Sequence, residues 1–442
     1  MGATRWGSYI GSPPLFLTDL LLAAAFIAAL VRSAKYPRSS LSPEYTSSRS
    51  NTSPLLFLFV SFVIVRVGWS LTATPSIAML VRDAAPFLYA FIAFLSAWSL
   101  SRATPAGRAR TAGILRLALT FHLLWCLASI AVGGVGFNIP SLGAPLFGIR
   151  PDIDAAVLGV GAGVFLIRAA KAPRPFWPAL AMILSLFGVL SVYARAGLIS
   201  MVITLVFAFV FHYSSTPRRS GKRLVAQVAV PVAVIAALII IPQTTAGERL
   251  IATLTPGAAS SQAQYSAQGT ENARRLVWSG VVSWVNQEPA RQLFGSGFGN
   301  DFLTESGTLA FLEGSTYDNV RSPHNWFVGI YARMGTVGLL LSAGICLEVL
   351  ILLWRKRASV GSDPLFATAA LLFLGILPVA NLGVVLEAPF GAVPFWWSIG
   401  VLYGLRSAPP TSVTVAVRGA QRRTASNRFQ LAEGRRRARA VR

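Results

Sequence analysis

The sequence predicts an all-α, polytopic membrane helix bundle of about eleven transmembrane helices, with ten to twelve allowed, and one large non-cytoplasmic loop that contains an amphipathic helix. Three observations carry this reading. Hydrophobic residues make up 54% of the 442 positions and charged residues 12%, with a mean hydropathy of +0.59, which a soluble core could not hide. Apolar runs of membrane-spanning length recur along the chain. Basic residues cluster in every second connection between them.

The expected spans are 14–31, 54–72, 77–98, 113–132, 153–167, 176–193, 196–213, 224–241, 326–354, 364–384 and 388–405. The first is not read as a cleavable signal peptide, because no basic segment precedes it and no small-residue cleavage site comes before Arg32. Clusters at Arg32/Lys35/Arg38/Arg49, Arg102/Arg108/Arg110, Arg168/Lys171/Arg174, Arg218/Arg219/Lys222/Arg223 and Arg355/Lys356/Arg357 mark the cytoplasmic connections. Parity then puts the N-terminus outside and the basic C-terminal tail in the cytoplasm. The net charge of +23 is thereby read as a topology signal. Membrane lipids are the expected partners of this charge, and nucleic acid is not.

Four segments follow: helices one to eight over 1–241, a large extracytoplasmic loop over 242–323, helices nine to eleven over 324–405, and a basic tail over 406–442 expected to be disordered. Cys126 and Cys346 both lie in apolar runs, so neither a disulfide nor a metal cluster is expected, and no cofactor is. The long loop is the first place to look for function. It opens with a Ser-, Ala-, Gln- and Gly-rich stretch, Thr255 to Thr270, read as a linker. From Glu271, apolar residues Leu276, Val277, Trp278, Val281, Val282 and Trp284 recur at helical spacing, which predicts an amphipathic helix lying against the membrane surface. The run Gly295-Ser-Gly-Phe-Gly299 follows a helix rather than a strand and lacks a following Lys-Ser or Lys-Thr, so it is read as a turn for close backbone approach and not as a nucleotide loop.

Polar groups at membrane depth are expensive and mark sites. Arg82 and Asp83 open the third helix at its outer end, where they could pair with each other or reach the interface. Arg195, in Y-A-R-A-G, stands alone in an outer hairpin against the positive-inside trend. Arg274 and Arg275 precede the apolar face of the loop helix, and a guanidinium can grip a diphosphate bidentately. Of three histidines, His122 and His212 fall within helices, whereas His324, in S-P-H-N-W, sits outside next to the membrane, where an imidazole suits proton abstraction from a hydroxyl. Glu313 and Asp318 are the alternative bases in the same loop.

Taken together, Y-A-R-A-G, R-R-L-V-W, G-S-G-F-G-N, and H-N-W-F leading into G-I-Y-A-R-M-G-T-V-G-L resemble, in this order over roughly residues 180–350, the O-antigen ligase and O-antigen polymerase family of bacterial membrane glycan transferases. The resemblance implies a helical membrane fold and metal-independent transfer of a glycan from a polyprenyl-diphosphate-linked donor to a glycan or lipid acceptor. By motif, Arg195 and Arg275 look like the diphosphate-binding arginines, with Arg274 beside the expected one, and His324 like the residue that activates the acceptor. The chain departs at Ala194, where the family often has serine. Ligase and polymerase differ only in acceptor, and an Arg- and Ala-rich composition tilts the expectation towards a polymerase or a ligase-like transferase. A secondary transporter or lipid-linked glycan flippase is the competing class, with Arg66 and Arg116 as its charges at membrane depth. A structural envelope subunit is the third.

Overall fold

The computed structural model describes residues 11–12, 15–35, 53–73, 76–101, 103–138, 145–192, 194–216, 243–255, 261–312 and 321–406. Among these the chain is helical almost throughout. Extended pairing is confined to Gly11–Ser12 against Leu15–Phe16 and a bridge between Asn138 and Pro145.

Among the described residues, seven helical segments are long and apolar enough to cross a membrane: Pro54–Ala73, Ile77–Ser101, Pro105–Val132, Pro151–Lys171, Arg195–Ser215, Trp326–Arg355 and Pro364–Asn381. The chain is a multi-pass membrane protein. The helices of the first half are α1 (Leu17–Lys35), α2 (Pro54–Ala73), α3 (Ile77–Leu88), α4 (Phe91–Ser101), α5 (Pro105–Val132), α6 (Pro151–Lys171), α7 (Phe176–Leu190) and α8 (Arg195–Ser215). In α1, Asp19 near its start accepts from Tyr89 Oη at 2.7 Å. The third expected span is broken into α3 and α4, with Pro86 inside α3 just before the break. The eighth expected span, 224–241, lies outside the described residues, as do Glu313, Asp318 and tail residues 407–442.

The loop region supplies α9 (Thr245–Leu254), α10 (Ser261–Asn286), α11 (Pro289–Phe294) and α12 (Phe302–Glu305), and the chain ends in α13 (Trp326–Arg355), α14 (Arg357–Ser362), α15 (Pro364–Asn381) and α16 (Pro389–Gly404). At 16 residues, α16 is roughly 24 Å long, shorter than a span needs unless neighbours cover its ends. The centre of the bundle is α6 and α15, each 78% buried over its apolar window. Polar groups fasten them to α8: Thr204 Oγ1 donates to Gly159 O at 3.0 Å, and Ser200 Oγ to Gly375 O at 2.7 Å. In lipid such bonds have no water to compete with them. The outer surface carries Phe57, Val65, Leu117, Phe121, Phe187 and Leu347, the apolar skin that hydrocarbon requires.

The bundle has two chemically different ends. One collects arginines and their partners: Arg108 with Asp363 at 3.7 Å, and Glu348 with Tyr403 Oη at 3.0 Å and Arg406 at 3.8 Å. The other carries α10 to α12 and the starts of α3, α6, α8 and α13.

Candidate functional site

Helix α10 begins at Ser261, so the second part of the expected linker is helical. Its Gln and Ala residues are good helix formers, and composition alone had weighted its Ser and Gly too heavily. The apolar face is also used differently from the expectation of a helix lying on lipid. Val277, Val281, Trp284 and Val285 are buried against Phe302, Leu303 and Ala332, so protein takes the stripe that periodicity assigned to the membrane surface. This packing fixes α10 to α13. Trp278 Nε1 then donates to Pro323 O at 2.6 Å and ties the helix to the S-P-H-N-W segment.

The glycine turn is a clamp. Helix α13 is interrupted at Gly335, with φ +62° and ψ −162°. Next to the break, the carbonyls of Ala332 and Arg333 accept instead from Ser296 N at 2.8 Å and Gly297 N at 3.0 Å. The approach is so close that a Cβ on Gly295 would lie 2.2 Å from the Arg333 carbonyl carbon, and one on Gly335 would lie 2.4 Å from that of Leu293. Both also have positive φ, so no other residue type fits. The turn is held from α2 as well: Arg66 Nη2 donates to Gly295 O at 3.0 Å, and Phe298 N donates to Ser70 Oγ at 2.9 Å.

Asp83 is the hub beneath this clamp. Its Oδ2 accepts from Arg333 Nη1 at 2.8 Å, Arg321 Nη2 at 3.0 Å and Gly299 N at 3.1 Å. Arg321 continues to Asp301 at 3.3 Å, and Arg333 lies over the Phe302 ring at 4.9 Å. The carboxylate therefore takes partners from distant parts of the chain, and not the adjacent Arg82 that local reading offered. Arg82 is exposed, and its charge acts on Glu387.

His324 sits at the entry to α13 with φ +55°, the one non-glycine residue in the left-handed region among those described. Its N–H donates to Ser322 Oγ at 3.2 Å. Asn325 caps α13 by accepting from Phe327 N at 3.0 Å and Val328 N at 3.1 Å, and Trp326 stacks on Phe87 with centroids 4.9 Å apart. Burial pushes the imidazole down to about 4. The Arg274 guanidinium pushes the same way, Asp152 opposes it and Arg150 adds to it. The ring is therefore neutral at pH 7 and able to accept a proton.

Of the residues singled out in the sequence, Arg274 is half-buried and near enough to His324 for its charge to act there. Arg275 is exposed and donates to Asn272 Oδ1 at 3.1 Å. Arg195 is the half-buried first residue of α8. Two residues on, Gly197 abuts Ala155, so the start of α8 lies beside the first turns of α6. Sequence reading passed over Arg150 and Asp152, which pair at 3.1 Å, with Arg150 also 4.5 Å over the Phe390 ring. It also passed over Arg321, Arg333 and Glu387. An arginine in an otherwise charge-poor connection, the signal that drew attention to Arg195, would have found Arg150.

Arg274 and Arg150 thus bring positive charge to bear on a neutral imidazole at one end of a multi-pass helical bundle. Residues 180–343, from α7 into α13, match the family model described as O-antigen ligase, which supports the resemblance of this part of the chain to the O-antigen ligase and polymerase family. The matched stretch contains Arg195, Arg274, Arg275 and His324, whereas Arg82, Arg150 and Glu387 fall outside it. No curated protein matches the chain.

Proposed function

We propose that the chain transfers or polymerises a glycan from a polyprenyl-diphosphate carrier onto an acceptor hydroxyl at the outer face of the cytoplasmic membrane, with its N-terminus outside and its C-terminus in the cytoplasm. The observation that carries this is the placement of His324 beside Arg274 inside the stretch matched to O-antigen ligase. In the reaction the acceptor oxygen bonds to the anomeric carbon of the carrier-linked sugar while that carbon's bond to the diphosphate breaks. The hydroxyl proton passes to the neutral His324 imidazole, and the electron pair leaves with polyprenyl diphosphate.

Arg274 and Arg195 hold the diphosphate, with Arg275 and Arg82 at the approaches. No metal is called on, because fixed guanidinium groups supply the positive charge. A base works best with a pKa near the working pH, and about 4 is low. The incoming diphosphate corrects this: its negative charge next to the imidazole raises the affinity for the proton in the loaded site. Arg66, from which a transporter reading would start, donates to Gly295 O, which supports a fastening role for it instead.

The test is the level of polyprenyl-diphosphate-linked glycan in cells carrying His324→Ala or Arg274→Ala at matched protein levels. Donor build-up with loss of surface glycan supports transfer. Wild-type levels of both in both variants would sink the assignment of these residues.

A further inference from the structure

Glu387 closes a 3-10 turn, Val385–Glu387, between α15 and α16. The turn is rigid: Glu387 N donates to Val384 O at 3.0 Å, and Gly391 packs so closely that a Cβ there would lie 2.2 Å from Val385 O. The carboxylate accepts a short hydrogen bond from the Ser322 hydroxyl, and the same Ser322 oxygen accepts from His324 N at 3.2 Å. Glu387 Oε1 also lies near Gly329 on α13, where an added Cβ would sit 3.7 Å from it, and Pro323 packs on the same spot at 3.8 Å. A chain of two hydrogen bonds thus runs from a fixed turn to the backbone of His324.

A histidine has no intrinsic reason to stay left-handed, since its Cβ crowds the following carbonyl there. Something around it must hold it. On the C-terminal side Asn325 secures α13 by accepting from Phe327 N and Val328 N. On the N-terminal side the bond from His324 N ends on Ser322, whose hydroxyl hydrogen is directed by Glu387. We propose that Glu387 is a positioning residue for His324, acting through the Ser322 hydroxyl to hold that residue in its left-handed conformation at the site. The inference rests on the reading of His324 as the proton acceptor.

The device is sensitive to pH. Burial pushes the Glu387 carboxyl up to about 7, while the Ser322 bond, Arg333 and Arg82 pull it down and Asp83 pushes it up. Above that value the carboxylate is the stronger, charge-assisted acceptor, and below it the bond to Ser322 weakens.

The experiment uses purified full-length protein and diethyl pyrocarbonate as the probe, with carbethoxylation of His324 followed by mass spectrometry. His122 and His212 are buried and His324 is half-buried, and peptide mass spectrometry reads the label at His324 separately from the other two. In Glu387→Ala and in Ser322→Ala the His324 labelling rate is expected to change by at least about threefold at pH 7.5, a pH at which even an unperturbed imidazole is about nine-tenths neutral, so a shift in its protonation alone changes the rate by far less. Glu387→Gln keeps a neutral acceptor oxygen and is expected to label at the rate that wild type shows on the acid side of about pH 7. It is also expected to flatten the rate change that wild type shows between about pH 6 and pH 8. Wild-type labelling in both alanine variants, with wild-type elution on size exclusion, overturns the proposal. So does a Glu387→Gln profile that keeps the wild-type step. If His324→Ala leaves glycan transfer intact while the labelling results hold, the functional reading fails and the positioning contact stands.

Discussion

Asp83 Oδ2 and Arg333 Nη1 meet at 2.8 Å across 250 residues of chain, and both side chains are buried. The pair joins the third expected span to the interrupted helix α13 and sits under the glycine turn. Replacing one member leaves the other charge without compensation in a site that water cannot reach, which costs about 3–5 kcal/mol. Asp83→Ala is therefore expected to lower the thermal midpoint in detergent and to speed proteolysis around residues 287–301. A variant that keeps both properties would show that the pair contributes no net fastening.

Gly295 and Gly335 face each other across the clamp, each with positive φ and each without room for a methyl group. An alanine at either place must push backbone from backbone, a strain that flexible side chains cannot absorb, and adds the cost of a left-handed non-glycine residue, about 1–2 kcal/mol on its own. Both substitutions are expected to reduce the monodisperse fraction on size exclusion. Alanine at Gly68, where an added Cβ meets nothing within 4 Å, is the matched control and is expected to behave as wild type.

The neighbours Arg274 and Arg275 separate in the fold, one half-buried beside His324 and one exposed on Asn272. Removing a preorganised positive group from a developing anionic charge typically costs about 10²–10³ in rate. Arg274→Ala is expected to fall in that range for glycan transfer in membranes, and Arg275→Ala to lose less than about tenfold. The reverse order would return the diphosphate role to Arg275, as the motif alignment alone had it.

The helical bundle was legible because lipid demands long apolar stretches and confines charge to their ends, and both are written locally in the chain. The clamp was not. The sequence shows G-S-G-F-G as a turn that permits close approach, but its partner is a break in α13 at Gly335, inside a stretch that reads as one continuous span. The amphipathic stripe of α10 was legible as a stripe, yet periodicity cannot distinguish a protein surface from a lipid surface as the thing it faces. Arg274 and Arg275 are chemically identical in sequence, and only the packing of Trp278 and Val277 sets which one turns towards His324. Glu387 was passed over because a single acid at the start of an expected span looks like an ordinary helix boundary. Its meaning comes from Ser322, far away in the chain.

His324 and Glu387 give the protein opposite pH dependences on its two flanks. His324 has a folded value of about 4 against an ordinary 6.5, so between these the unfolded chain binds a proton that the folded chain refuses. Its contribution to stability is present above pH 6.5 and is lost as pH falls through about 4. Glu387 is raised from 4.5 to about 7, so the folded chain keeps a proton that the unfolded chain releases; its contribution is present below pH 4.5 and lost as pH rises through about 7. Thermal midpoints measured in detergent from about pH 4 to about pH 8 are expected to fall on both sides for wild type. His324→Gln is expected to flatten the acid side only, and Glu387→Gln the neutral side only. An acid-side loss that survives His324→Gln unchanged would show that the imidazole is not held neutral by its surroundings. The base assigned to glycan transfer would then have to be sought elsewhere in the loop.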